Sequence, residues 1–174
     1  MKKRVQQNKR RILISLLIIL WITPVGAQQG LPRVYDEEAD PIEQLDNALR
    51  QAQAEGKHVL CQVGGNWCPW CLILAHHMSQ DSTARALVGE HYVYIHLNYN
   101  PRKQLDGAAK EKTEAMLSRV GNPTRFGYPV LVVLTPDGQV LHIQDSSFLE
   151  EGRGYNSDKV ARFLRCWTPK ALKG

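Results

Sequence analysis

The 174-residue sequence predicts an α/β domain: a central mixed β-sheet flanked by helices on both faces. Three observations carry that expectation. The run Val59-Leu60-Cys61-Gln62-Val63 is apolar but for one residue, as in a strand covered on both faces, and it leads through Gly64-Gly65-Asn66 into a helix-compatible segment. Tyr92, Tyr94 and His96 alternate with Val93, Ile95 and Leu97, the period of a half-buried strand. Two strand-like runs, 130–134 and 139–144, flank Thr135-Pro136-Asp137-Gly138, whose Pro and Gly occupy turn positions of a hairpin.

The elements follow in order. Residues 28–39 are polar and irregular, a mobile lead-in or a short edge strand. Asp40-Pro41-Ile42-Glu43 has an N-cap Asp, Pro at the first helical position and Glu three residues after the cap. Ile42, Leu45, Leu49 and Ala52 then recur at helical spacing until Gly56. A buried strand spans 58–63, and a helix runs from about 69 to 78. Asp81 caps a short helix through Val88, and 91–97 forms the next strand. After a loop over 98–108, residues 109–120 read as a polar helix whose apolar side holds Met116, Leu117 and Val120. A rigid loop over 121–127 leads to Tyr128-Pro129 and the hairpin, and Ser157 caps a last helix with Val160, Phe163, Leu164 and Trp167. The order is α-β-α-α-β-α-β-β-α, and its β-α-β part must cross over right-handed.

Residues 1–27 have the layout of a secretory signal peptide: Lys2, Lys3, Arg4, Lys9, Arg10 and Arg11, an apolar core over 12–22, and Val25-Gly26-Ala27 before Gln28. That core is short for a membrane span, which needs about 20 residues, so an uncleaved anchor is the weaker alternative. The expected organisation is a signal over 1–27, a lead-in over 28–39 and one domain over 40–174, with a periplasmic or otherwise exported product. Of the 22 basic residues, six lie in 1–27 and none of the 17 acidic ones does, so the remainder carries about −1 rather than +5. Nothing in that balance points to nucleic acid as a partner.

The chemistry is concentrated in Trp67-Cys68-Pro69-Trp70-Cys71. A strand, a tight loop and Cys-x-x-Cys opening a helix form the layout of a redox-active dithiol. The free N–H groups and partial positive charge of a helix start favour a thiolate at Cys68. Cys71 lies nearly a turn inside, so Cys68 is the expected nucleophile and Cys71 the resolving thiol. Pro69 fits the first turn, where its missing N–H costs little, and Trp67 is placed to cover one side. A purely structural Cys68–Cys71 bridge would close a very small loop and remove little chain entropy. A zinc site through His91 and His96 fits poorly, because the spacing is long and the two histidines would point to opposite strand faces. His76 and His77, five and six positions beyond Cys71, do not share its helix face. Cys61 and Cys166 read as small core hydrophobes, with a second disulfide or a regulatory thiol as the alternative.

With Tyr128-Pro129 directly before a strand, where Pro is tolerated, the dithiol makes the chain resemble the thioredoxin-like family, over roughly 40–170. The resemblance implies the thioredoxin-like fold, a cis Tyr128-Pro129 bond packed beside Cys68 and Cys71, and a substrate surface framed by Trp67, Pro69, Trp70, Tyr128 and Pro129. The order Cys-Pro-aromatic-Cys is similar to that of glutaredoxins and some exported oxidoreductases rather than thioredoxins proper. The family's buried proton-relaying Asp is replaced by Gln62, which cannot accept and return a proton at neutral pH, so water or another group must serve.

The function so implied is thiol–disulfide exchange with cysteine-containing exported proteins, in the reductase direction. A membrane or soluble redox partner recycles the dithiol, and neither cofactor nor metal is called for. Two readings of other classes stay open: an interaction module whose dithiol is incidental, and a protein that handles copper through its two thiolates.

Overall fold

A computed structural model describes residues 30–172. The signal-peptide reading of 1–27 lies outside the described residues. Among those described, no helix is long and apolar enough to cross a membrane.

Helix α1 (Pro41–Glu55) starts as its sequence dictates: Asp40 accepts from the Ile42 and Glu43 amides, and Gly56 closes it at φ 64°, a conformation that costs glycine nothing. Strand β1 (His58–Gly64) follows, buried along its whole length. Helices α2 (Pro69–Gln80) and α3 (Ser82–His91) connect it to β2 (Tyr92–Asn98). Asp81 serves both helices: its N–H donates to the His77 carbonyl at the end of α2, and its carboxylate accepts from Ala84 N at 2.8 Å at the start of α3. Helix α4 (Gly107–Arg119) and a 3-10 turn (Pro123–Phe126) lead to the hairpin of β3 (Val130–Leu134) and β4 (Val140–Asp145). A second 3-10 turn (Ser146–Leu149) and a small ribbon, β5 (Glu150–Glu151) with β6 (Gly154–Tyr155), precede α5 (Ser157–Cys166).

The sheet order is β2-β1-β3-β4. β1 pairs parallel with β2 and antiparallel with β3, and β3 pairs antiparallel with β4, so the sheet is mixed. Side chains alternate across it. Val59, Cys61, Val63, Val130, Val132 and Leu134 meet Leu45, Ala48 and Ala52 of α1 and Met116 of α4 on one face. Leu60, Leu131 and Val133 meet Leu74 and Met78 of α2, Ala84 of α3 and Val160, Phe163 and Leu164 of α5 on the other. Helices cover both faces, so β2 too is packed on both sides rather than half-buried as its alternation suggested. Gln62, two residues from Leu60, is the polar member of the α2 face.

Four local expectations are corrected. His91 ends α3 rather than opening β2, because the helical ladder continues until the Tyr92 N–H bonds the Val88 carbonyl. The cap of α5 is Asn156, whose side chain accepts from Lys159 N at 2.9 Å; Ser157 is the first helical residue and donates instead to Asp81, at 2.7 Å. Cys166 is exposed, not a core residue. At 3.6 residues per turn the buried arc formed by Val160, Ala161, Phe163 and Leu164 leaves position 166 on the outer side of α5. Finally, the polar stretch before α1 forms no strand among the described residues, and its Tyr35 is a core residue only 4% exposed.

Candidate active site

Strand β1 ends at Gly64, and the loop Gly65-Asn66-Trp67 turns the chain into α2 directly above the sheet. Cys68 occupies the N-cap position, with extended backbone and its Sγ accepting the Cys71 N–H at 3.2 Å. Pro69 follows at the first helical position and is exposed, its absent N–H being one that the first turn leaves unpaired in any case. Cys71, one turn inside, forms a disulfide with Cys68 across a Cα–Cα distance of 5.2 Å. Cys68 is 5% exposed and Cys71 is wholly buried.

Above the pair lies the segment before β3. The Tyr128-Pro129 bond is cis, and the Tyr128 carbonyl oxygen lies 3.7 Å from Cys68 Sγ. Tyr128 is half-buried, with its ring edge-on to Trp67 at 5.4 Å between centroids and tilted against Tyr99 at 5.7 Å; Pro129 beneath it is buried. Trp67 donates its indole N–H to the Tyr99 carbonyl at 3.0 Å, and the Arg102 guanidinium stands 5.8 Å above its ring. Gly65 is required here, since a Cβ at that position would lie 2.5 Å from the Trp67 indole nitrogen. Trp70 leans away from this group, edge-on to Tyr155 of β6 at 5.8 Å. Of the residues singled out in the sequence, Cys68, Cys71, Trp67, Trp70 and Tyr128 share one cluster.

Two residues of the site, Asn66 and Tyr35, carried no such signal, and a third, Gln62, was marked only by what it replaces. Asn66 binds the segment before α1: its Oδ1 accepts the Val34 and Tyr35 amides at 3.1 and 3.2 Å, and its Nδ2 donates to the Tyr35 carbonyl at 2.8 Å and to Glu37 at 2.9 Å. Tyr35, held in this way, packs against Cys68 and Cys71. Its hydroxyl accepts from Gln62 Nε2 at 2.6 Å, and the same amide donates to the Cys71 carbonyl at 2.9 Å. Gln62 Oε1 in turn accepts from the Tyr94 hydroxyl. Burial pushes the Tyr35 and Tyr94 phenols well above their ordinary range, so both are neutral donors and acceptors at physiological pH. Gln62 was legible only as a departure from a pattern; its amide ties β1, α2, β2 and the segment at Tyr35 together. Tyr35 and Asn66 lie in irregular stretches with no periodicity to single them out.

Among the described residues no group of three or more His, Cys, Asp or Glu side chains is arranged to hold a metal ion. His96, on β2, lies edge-on to Tyr35 at 5.3 Å and tilted against Tyr94 at 4.6 Å, with its Nε2 buried and unpaired among the described residues. Burial lowers its pKa to about 4, so it is neutral.

Comparison with known proteins agrees with this architecture. A solved structure of a disulphide isomerase from Xylella fastidiosa Temecula1 is similar at 25% identity and a TM-score of 0.62, covering 78% of this chain and 96% of that one. A structure described as DsbH oxidoreductase is similar at 19% identity and a TM-score of 0.48, covering 84% and 92%. A thioredoxin-fold protein from Helicobacter pylori matches at 15% identity and 0.37, covering 67% and 85%. No curated protein matches. The family model Thioredox_DsbH, described as a protein of unknown function, DUF255, matches residues 31–166. With a mixed sheet covered on both faces and a Cys-x-x-Cys pair at the start of α2, the chain belongs to the Thioredox_DsbH (DUF255) family of thioredoxin-like proteins.

Proposed function

We propose that the protein is an exported thiol–disulfide oxidoreductase that reduces disulfides of cysteine-containing exported proteins through Cys68 and Cys71. The observation that carries this reading is the placement of Cys68 Sγ at the N-terminus of α2, accepting the Cys71 N–H and lying 3.7 Å from the Tyr128 carbonyl oxygen. Amide hydrogen bonds and the helix dipole stabilise a thiolate there, and the pair is near enough to close its own disulfide. Cys68 attacks one sulfur of the client disulfide, and the other leaves as a thiolate. Cys71 then attacks Cys68 Sγ and releases the second client sulfur. The client gains two electrons, the dithiol loses them, and a thiol donor in the envelope, membrane-bound or soluble, restores it. Trp67, Pro69, Trp70 and Tyr128 form the surface that meets the client, and Pro129, buried beneath Tyr128, supports it from below. The Tyr128 backbone pairs with an extended substrate segment. Between the dithiol and Pro129 the fold holds only α2, α3, β2, α4 and a 3-10 turn, with no inserted helical domain, which favours a compact reductase module.

The test is insulin-disulfide reduction with dithiothreitol as electron donor, together with capture from an envelope extract. Cys68→Ser abolishes reduction. Cys71→Ser retains attack but not resolution, so it accumulates mixed disulfides with exported proteins that dithiothreitol releases. Full activity in Cys68→Ser, or an empty trap in Cys71→Ser, overturns the reading.

A further inference from the structure

The floor of the dithiol contains a hydroxyl that donates to no acceptor among the described residues. Tyr35 is 4% exposed, and its oxygen is occupied as an acceptor by Gln62 Nε2 at 2.6 Å. A phenol also carries one O–H donor, and among the described residues the Tyr35 hydroxyl takes part in no hydrogen bond besides the one it accepts from Gln62. Tyr35 does pack against Cys71, whose side chain is wholly buried. A Cβ placed on Gly64 would stand 3.0 Å from the Tyr35 oxygen and 2.5 Å from Cys71 Sγ, so hydroxyl and sulfur flank one small gap that only glycine leaves open. Neither neighbouring side chain competes for that hydrogen as a base. Gln62 is an amide whose Oε1 is taken by Tyr94, and His96 meets Tyr35 ring edge to face, its Nε2 unpaired.

The backbone of Tyr35 is fixed independently of the dithiol. Asn66 binds the backbone of residues 34 and 35 through three hydrogen bonds of 2.8–3.2 Å. Gln62 fixes the ring tip, and the same amide holds the Cys71 carbonyl at 2.9 Å. Phenol and resolving cysteine therefore share one anchor.

We infer that Tyr35 is a positioning residue for the resolving step, its O–H donating a hydrogen bond to the Cys71 thiolate. This rests on the exchange reaction proposed above. In the mixed disulfide, Cys71 has lost its proton to solvent and the Tyr35 hydrogen bond holds the thiolate. Cys71 Sγ attacks Cys68 Sγ; the Cys68–Cys71 bond forms and the bond from Cys68 to the client breaks. The electron pair leaves with the client sulfur, which takes a proton from water. Tyr35 keeps its own proton throughout, as a phenol whose ionisation burial opposes must. The donor therefore acts by lowering the Cys71 pKa, and Gln62 is needed only to orient it.

The decisive variant is Tyr35→Phe, which keeps the ring and removes the donor. Its first readout does not depend on catalysis. In a Cys68→Ser background, the Cys71 ionisation is titrated by ultraviolet thiolate absorbance with and without Tyr35→Phe, and the midpoint rises by about one pH unit in the double variant. Its second readout is resolution of a preformed mixed disulfide, which slows about tenfold near neutral pH as the thiolate fraction falls. The pH profile of resolution shifts upward, while Cys68 alkylation in the reduced protein stays within about twofold. In the unsubstituted protein the phenol carbon resonance of Tyr35 follows the Cys71 titration, which decides the contact even if Tyr35→Phe folds poorly. An unchanged Cys71 midpoint in a folded Tyr35→Phe protein, or a Tyr35 resonance indifferent to Cys71, overturns the inference. Absence of client exchange in the unsubstituted protein overturns the proposed function instead, and leaves the titration to decide the Tyr35 contact.

Discussion

The two sulfurs of the dithiol are covalent neighbours in different surroundings. Cys68 belongs to a rim made of half-buried aromatic rings and backbone: Trp67, Tyr99 and Tyr128, with a carbonyl oxygen 3.7 Å from the sulfur. Cys71 belongs to a floor made of buried polar side chains, Gln62 and Tyr35, and a glycine that leaves room for the sulfur. The rim offers π-faces and main-chain groups, which accept many partner sequences. The floor offers hydrogen bonds of fixed direction in a low-dielectric interior, where each polar contact counts for more and an unpaired one costs more. Under the proposed exchange reaction, partner choice would fall to the Cys68 side, and tuning of the dithiol to the Cys71 side.

The largest expected effect outside the cysteines is at the centre of the floor. Gln62→Leu leaves the Tyr94 hydroxyl, the Tyr35 hydroxyl and the Cys71 carbonyl without their shared partner. A buried polar group left unpaired costs about 1–3 kcal/mol. Some relaxation is open to Tyr94, so the expected loss is about 3 kcal/mol in urea unfolding. Removing a rim contact costs less: Arg102→Ala deletes an exposed cation–π contact worth about 0.5–1 kcal/mol. Equal destabilisation by the two variants would erase the distinction between rim and floor.

This division also marks how far the sequence could be read. The fold was legible because its strands announce themselves as apolar runs: β1 and β3 are buried on both faces as expected. β2, expected to be half-buried, is packed on both faces, with Val93 and Leu97 on one side and Tyr92 and Tyr94 on the other. The helix starts at Asp40 and Asp81 were legible because capping is local chemistry. Cys68, Cys71 and Tyr128-Pro129 were legible as motifs. The floor was not, because Tyr35 and Asn66 act through contacts about 30 residues apart in sequence, with no local pattern to mark them. Cys166 failed for a related reason. Its residue type suggests burial, but its angular position on α5 decides exposure, and that depends on which arc of the helix faces the sheet.

A middle-sized effect comes from His96, which extends the floor toward the edge of the sheet. Its folded pKa is depressed to about 4 by burial, whereas an unfolded histidine titrates near 6.5. Below pH 6.5 the unfolded chain binds the proton and the folded one does not, so stability falls as the pH drops from about 6.5 to about 4 and then levels off for this group. The shift sets an upper bound of about 3 kcal/mol, which the partial exposure of the ring lowers. His96→Phe removes the titration and flattens that part of the urea-midpoint profile against pH. An unchanged slope between pH 6.5 and 4 in the variant would place the acid sensitivity elsewhere.

The smallest effect on the floor side sharpens the comparison most, because it separates the anchor of the floor from the floor itself. Asn66→Ala removes three hydrogen bonds to the backbone of Val34 and Tyr35 and one to Glu37. The segment is partly exposed, so water replaces much of what is lost, and the expected destabilisation is about 1 kcal/mol. The local consequence is larger than the global one. The Val34 and Tyr35 amides lose their acceptor, so their hydrogen exchange accelerates while that of β1 and β3 stays at the global rate. Because the Tyr35 hydroxyl is still bound by Gln62, its ring remains beside Cys71 for most of the time. Loosening the segment then lowers Cys71 ionisation by less than Tyr35→Phe does. A variant that matches or exceeds Tyr35→Phe in raising the Cys71 midpoint would show that Asn66, rather than Gln62, holds the phenol in place.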